Sequence, residues 1–218
     1  MIGSSANPGL RDFAIAAMII DGKQIHDRVS LDINPSTRQV QENLMEMKLL
    51  GNLLRAGGRI HQAGCNGCIG MGQAPATGKI SLRTVPRNFP GRSGTKEDAV
   101  YLCSPETAMA SAITGEITDP RSLDMDYPIF EEPKRVLINT KMLAAPPDDG
   151  TGYQLEKGPN IKSLPIFNEL LDILEGPVLL KVGDNISTDE IMPAGSKVLP
   201  YRSNIEAISQ FEIGRAHV

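Results

Sequence analysis

The chain has 218 residues, 40% hydrophobic and 22% charged, with a formal net charge of -4. That length accommodates one large domain or one domain with part of a second, and the acidic balance, with a pI near 5.4, argues against nucleic acid or an anionic membrane surface as partner. Aromatic content of 4% without a single Trp counts against a base-stacking surface, and no apolar run reaches the ~20 residues that span a bilayer. Three cysteines, two of them at C-x-x-C spacing, point to a reducing, cytoplasmic setting and to a metal or redox site rather than a disulfide framework.

Met1–Ser5 reads as the tail of a buried strand running into a loop. Leu10–Ile20 is apolar and helix-favouring, ended by Gly22. Val29–Ile33 alternates as a short strand and stops at Asn34-Pro35. Ser36 reads as the N-cap of one helix from about 37 to 56, with Val40, Leu44, Met47 and Leu50 at helical spacing. Arg59-Ile60-His61 leads into the glycine-rich stretch Ala63–Gly72. Residues 80–85 and 99–103 read as strands. Between them lies an irregular loop carrying Arg87 and Arg92, and Ser104-Pro105 caps a small-residue helix that Gly115 follows.

This alternation predicts an α/β fold with a mostly parallel sheet, whose loops at the carboxyl ends of the strands gather around a ligand. From Asp119 the composition turns to Pro, Asp, Glu and Gly, the mark of a linker, with one strand expected at 135–139 and one helix at 165–174. A further domain is expected from the strand 178–182. The final residues 212–218 read as a foreign, adapter-encoded tail, so the chain is expected to be a gene fragment.

Cys65 and Cys68 admit three readings. Structural zinc takes four ligands, usually as two clustered pairs, and only Cys103, His26 and His61 remain, none of them paired. A redox pair opens a helix after a strand, an arrangement less natural with so much flanking glycine. An iron-sulfur cluster takes thiolates on a loop whose amides turn toward the sulfides. For Arg87 and Arg92 the choice lies between a solvated surface pair and planar recognition of carboxylates.

Taken together, Cys65-Asn66-Gly67-Cys68-Ile69-Gly70, Arg87-Asn88-Phe89-Pro90-Gly91-Arg92, Ser104-Pro105-Glu106 and Asn185-Ile186-Ser187-Thr188-Asp189 resemble the aconitase superfamily, in order and spacing, across almost all of residues 1–211. The resemblance implies a three-layer α/β/α core, with a cluster-binding domain over 1–121, a linker over 122–176 and the start of a swivel domain over 177–211. It implies a 4Fe-4S cluster that acts as a Lewis acid, held by three cysteines of which Cys65 and Cys68 match two. Arg87, Arg92 and Asn88 match substrate-binding positions, and Asp189 matches a catalytic position near the start of the swivel domain.

Two departures stand out. Ser5 occupies the place of the family's third cluster cysteine, with Cys103 as a candidate substitute, and Pro86 replaces an asparagine. The single-chain layout favours the interconversion of the tricarboxylates citrate and isocitrate through cis-aconitate, by a protein monomeric at full length. Dehydration of homoaconitate or 3-isopropylmalate is the alternative, because isopropylmalate isomerases usually divide the two domains between polypeptides. A cluster-free binding relative is a third reading, of another class.

Overall fold

The structure, a computed structural model, describes residues 1–4, 6–178, 181–186, 191–193 and 197–212. It falls into two compact units, 1–144 and 145–218. In the first, β1 (Asp32–Ile33) pairs in parallel with β2 (Arg59–Ile60), and β3 (Ile80–Arg83) pairs in parallel with β4 (Ala99–Leu102). The N-terminal segment joins the two pairs into one sheet. On one side Ile2 bridges Ile33, with its amide donating to Asp32 O at 2.8 Å. On the other, the Met1 amine donates to Leu82 O at 2.7 Å, and the Thr84 amide donates to Met1 O at 3.3 Å.

The spatial order is therefore β2, β1, the N-terminal segment, β3, β4, all parallel. Numbered along the chain, that order runs 3-2-1-4-5, the strand order found in doubly wound sheets. Its switch point lies between the N-terminal segment and β3. There the two outgoing loops are tied together: Gly3 donates its amide to Thr84 Oγ1 at 3.0 Å, and Asn7 Nδ2 donates to Thr84 O at 2.9 Å.

The helices α1 (Leu10–Ile19), α2 (Arg38–Glu46), α3 (Leu50–Arg55) and α4 (Pro105–Thr114) pack on one another and on one sheet face. A single apolar core holds Phe13 and Ile15 of α1, Leu44 of α2, Leu53 of α3, Met109 of α4 and Ile33 of the sheet, all fully buried. α4 forms as its caps dictate. Ser104 Oγ accepts from the Thr107 amide at 3.2 Å, Pro105 takes the first helical position, and Gly115 follows the end.

The helix expected over 37–56 is two helices. Lys48 adopts φ 62°, a left-handed conformation that no helix interior tolerates, and it separates α2 from α3. The cap of α2 is Thr37 rather than Ser36, its Oγ1 accepting from the Val40 amide at 3.1 Å.

Residues beyond the last core helix stay with the first unit as far as Ala144. Residues 135–139 hold no strand. Asn43 takes the place a partner strand would have, donating to Leu137 O at 3.1 Å and accepting from the Leu137 amide at 2.8 Å. Residues 165–174 hold no helix, and Ile166, Phe167, Leu170 and Leu171 stand exposed. An apolar stripe gives a helix most of its stability only when it is buried. The second unit's regular structure among the described residues is short: a helix Ile205–Ile208 capped by Asn204, with Tyr201 stacked on Phe211 at 6.0 Å. The strand expected at 178–182 lies partly outside the described residues.

Candidate functional site

Side chains alternate across a strand, so the sheet face turned away from the helices carries Asp32 and Asn34 of the β1 strand line, Arg59 and His61 of the β2 line, and Ser81 and Arg83 of β3. Instead of a helix, the cysteine loop lies over this polar face. It leaves β2 at the sheet margin, and Gly67 comes to rest between Asn34, whose Oδ1 accepts the Gly67 amide at 2.8 Å, and Arg83, whose Nη1 donates to Gly67 O at 2.8 Å. Any side chain at Gly67 would overlap Gln73 Oε1 and the Met1 methyl beneath it. A larger residue here would displace the ends of these flexible side chains.

A short 3-10 turn, Gly67–Ile69, carries Cys68 inward to 1% exposure, while Cys65 on the approach stays exposed. The turn ends at Gly70 with φ 80°, where a Cβ would overlap the Ser93 carbonyl oxygen. The cysteine loop and the arginine loop therefore meet backbone to backbone. Thr95 Oγ1 adds a bond to Pro75 O at 2.5 Å. Two segments singled out separately in the sequence form one structural unit.

Across that junction Arg92 Nη2 stands 3.3 Å from Cys68 Sγ, and its guanidinium lies 5.9 Å from the Phe89 ring centre. Burial pushes the Cys68 thiol above its ordinary value, and the Arg92 charge opposes that rise only in part. Asn88 spends its amide on the fold, with Nδ2 donating to Val100 O at 3.1 Å, and so fixes the arginine loop to β4. Arg87 follows from the switch-point residue Thr84 through Val85 and Pro86.

Cys103 sits elsewhere. It packs at the edge of the helix-side core with Sγ 3.9 Å from Arg83 O, and burial raises its thiol as well. Ser5 and Asp189 lie outside the described residues. Among the described residues no three His, Cys, Asp or Glu side chains gather as a metal site.

Two thiols on a tight glycine turn match the ligand chemistry of an iron-sulfur cluster. Buried polar atoms without partners concentrate in the same two loops: both ends of the Gln73 amide, Ser93 Oγ and Arg92 Nε. Such groups are costly unless something polar meets them. The donor set and its surroundings fit a cluster held by Cys65 and Cys68, with the remaining ligand outside this pair.

Sequence reasoning missed three members of the site. Asn34 read as a strand stop, His61 as a lead-in and Arg83 as one more strand residue. His61 Nε2 lies 2.9 Å from Asp32 Oδ1, and Arg59 Nη2 lies 3.1 Å from the same oxygen. Burial alone would raise the Asp32 carboxyl; hydrogen bonds from His61 and Ser30 with the Arg59 charge outweigh it and hold the carboxyl below its ordinary value. Burial pulls the Arg83 guanidinium below the usual arginine value, opposed by the charges of Asp32, Asp98 and Cys68.

The profile of the Aconitase family (aconitate hydratase) matches residues 1–115. A 3-isopropylmalate dehydratase large subunit from Methanopyrus kandleri is 44% identical over 122 residues, covering 55% of this chain and 29% of its own. One from Wolinella succinogenes is 41% identical over 124 residues, 56% of this chain and 29% of its own. The mitochondrial homoaconitase of Candida albicans is 33% identical over 192 residues, 87% of this chain and 27% of its own. The chain thus spans under a third of the length of these relatives. No helix among the described residues is long and apolar enough to cross a membrane. With 115 of its 218 residues matched by that profile, and its cysteine and arginine loops in backbone contact, the chain belongs to the aconitase family.

Proposed function

We propose that this chain is part of a hydro-lyase that dehydrates and rehydrates a hydroxy di- or tricarboxylic acid of the isopropylmalate or homoaconitate kind, rather than the citrate expected from the single-chain layout. The observation that supports the reaction class is the 3.3 Å approach of Arg92, proposed to bind a carboxylate, to Cys68, proposed to bind the cluster. The substrate class rests on the relatives: those named above are isopropylmalate dehydratase large subunits and a homoaconitase.

The match to the homoaconitase runs over 192 residues, against 122 to 124 for the two large subunits. That reach favours a protein whose cluster domain continues into further chain. A three-layer core completed by a swivel domain is the arrangement proposed for the whole protein.

Each residue then has a task. Cys65 and Cys68 hold the 4Fe-4S cluster, with Ser5 or another group as the third ligand; when bound, the cluster supplies a Lewis acid for the leaving hydroxide. Arg87 and Arg92 bind substrate carboxylates, for which the planar guanidinium fork is suited. Phe89 backs Arg92, and Asn88 holds their loop on the sheet, so the cations meet the substrate without reorganising. Asp189 is proposed to act from the swivel side.

The test is turnover by the full-length protein, reconstituted anaerobically with iron and sulfide. Hydration of homoaconitate or isomerisation of 3-isopropylmalate is expected to exceed hydration of cis-aconitate. A preference for cis-aconitate would overturn the substrate class, and iron retained equally by Cys65→Ser and Cys68→Ser would overturn the cluster assignment.

A further inference from the structure

Arg83 ends β3 with 2% of its surface exposed. All of its donor nitrogens are engaged: Nη1 donates to Gly67 O at 2.8 Å, Nη2 to Gln73 O, and Nε to Ser81 Oγ at 3.0 Å. Gly67 and Gln73 bracket the segment that contains Cys68 and the turn at Gly70. One planar fork thus grips the loop on both sides of its buried cysteine. No other side chain among the described residues bonds to both of these carbonyls.

The charge makes a second argument. A guanidinium does not deprotonate in proteins, so a full positive charge stands inside the molecule. Buried charges are costly unless paired. Among the described residues no carboxylate lies within 4.0 Å of Arg83. Its bonds to neutral carbonyl and hydroxyl oxygens satisfy the donors without cancelling the charge. The loop it grips carries the thiol whose ionised form is a metal ligand, and Arg83 is electrostatically coupled to Cys68.

We propose that Arg83 is the positioning residue of the cysteine loop, its fork fixing the Gly67 and Gln73 carbonyls and its charge balancing the anionic ligand set above it. The geometric half stands without the proposed function; the charge half rests on the cluster reading. Lysine keeps the charge but can serve only part of the fork, methionine keeps much of the stem and loses the charge, and Ser81→Ala removes only the bond that orients Nε.

The experiment uses the full-length protein in two states. In the cluster-free state, amide hydrogen exchange of Gly70, Met71 and Gln73, all bonded within the loop, is expected to speed up about tenfold or more in Arg83→Lys and Arg83→Met. The sheet amides of Thr84 and Cys103 are expected to stay within about twofold. Ser81→Ala should show a smaller effect of the same pattern, and it serves as the geometric test where Arg83→Met does not fold. In the reconstituted state the cluster's reduction potential is expected to fall in Arg83→Met and to stay near wild type in Arg83→Lys. Unchanged loop exchange, or acceleration spread equally over the sheet, overturns the positioning role. Potentials that fall alike in both variants overturn the charge role, and a wild-type protein that takes up no cluster overturns the cluster reading while leaving the exchange result to stand.

Discussion

Arg92 Nη2 and Cys68 Sγ stand 3.3 Å apart, although they come from different loops. The contact exists because Gly70 lets the cysteine turn come down on the Ser93 carbonyl. Arginine is the residue that suits this position. One nitrogen of its planar fork faces the sulfur, and the Phe89 ring lies 5.9 Å from the guanidinium.

Arg92→Lys and Arg87→Lys in the full-length protein should each lose about 1.5–3 kcal/mol of transition-state binding, seen as a drop in kcat/KM of about tenfold to a hundredfold. The iron content of both variants is expected to remain close to wild type, since neither side chain is a proposed ligand. Steady-state kinetics with parallel iron determination checks the pair. An unchanged kcat/KM in both would remove the substrate role.

Gly70→Ala should destabilise the loop junction. The new methyl meets the Ser93 carbonyl at a backbone φ of 80°, and a strained residue of this kind costs about 1–3 kcal/mol. Thermal unfolding is expected to shift downward, with heightened protease cleavage in residues 67–95. Gly78→Ala has the same sign of φ but nothing within 4 Å of the new atom, so the excess cost at Gly70 isolates the contact from the strain.

Acid should weaken the sheet through Asp32. Its carboxyl is held below the ordinary value in the fold, so its stabilisation is complete above the unfolded value of about 4 and is lost as pH falls through the lower folded value. Asp32→Asn is expected to lower stability at neutral pH and to flatten the acid limb of the stability profile. Denaturant melts at a series of pH values supply the comparison. A variant with the same acid slope as wild type would assign that limb to other carboxyls.

Asn43 is 4% exposed and pairs with both backbone groups of Leu137. Asn43→Ala leaves the half-buried amide and carbonyl of Leu137 without their protein partner, a cost of about 0.5–1.5 kcal/mol for each bond lost. Residues 137–144 are expected to become the first site of limited proteolysis, with little change in helix content by circular dichroism. If cleavage still begins beyond residue 145, the asparagine does not hold this segment.

Much of the first unit was legible because its signals are local. Ser104, Pro105 and Gly115 state the limits of α4 within the helix itself, and the apolar run of α1 is dense enough to survive any context. The cysteine and arginine loops were legible as motifs. What failed depends on distance. Nothing near Lys48 announces a left-handed residue between α2 and α3, and Leu137 finds its partner 94 residues away. The apolar residues at 166–174 have helical spacing but no burial to reward it. Arg83 escaped because strand alternation treats a charged position as a solvent face, whereas here the loop of another strand covers it.

That loop is rooted at the edge of the sheet and moored at its centre. The consequence concerns inheritance and engineering alike. A peptide copied from residues 61–75 would carry both thiols and every glycine yet lack the posts, Asn34 and Arg83, that give them direction. Transplanting this cysteine loop onto another scaffold means carrying over the four neighbouring strand lines from β2 to β3 with it. Within a lineage, the motif and the ends of those strands are expected to drift together or not at all.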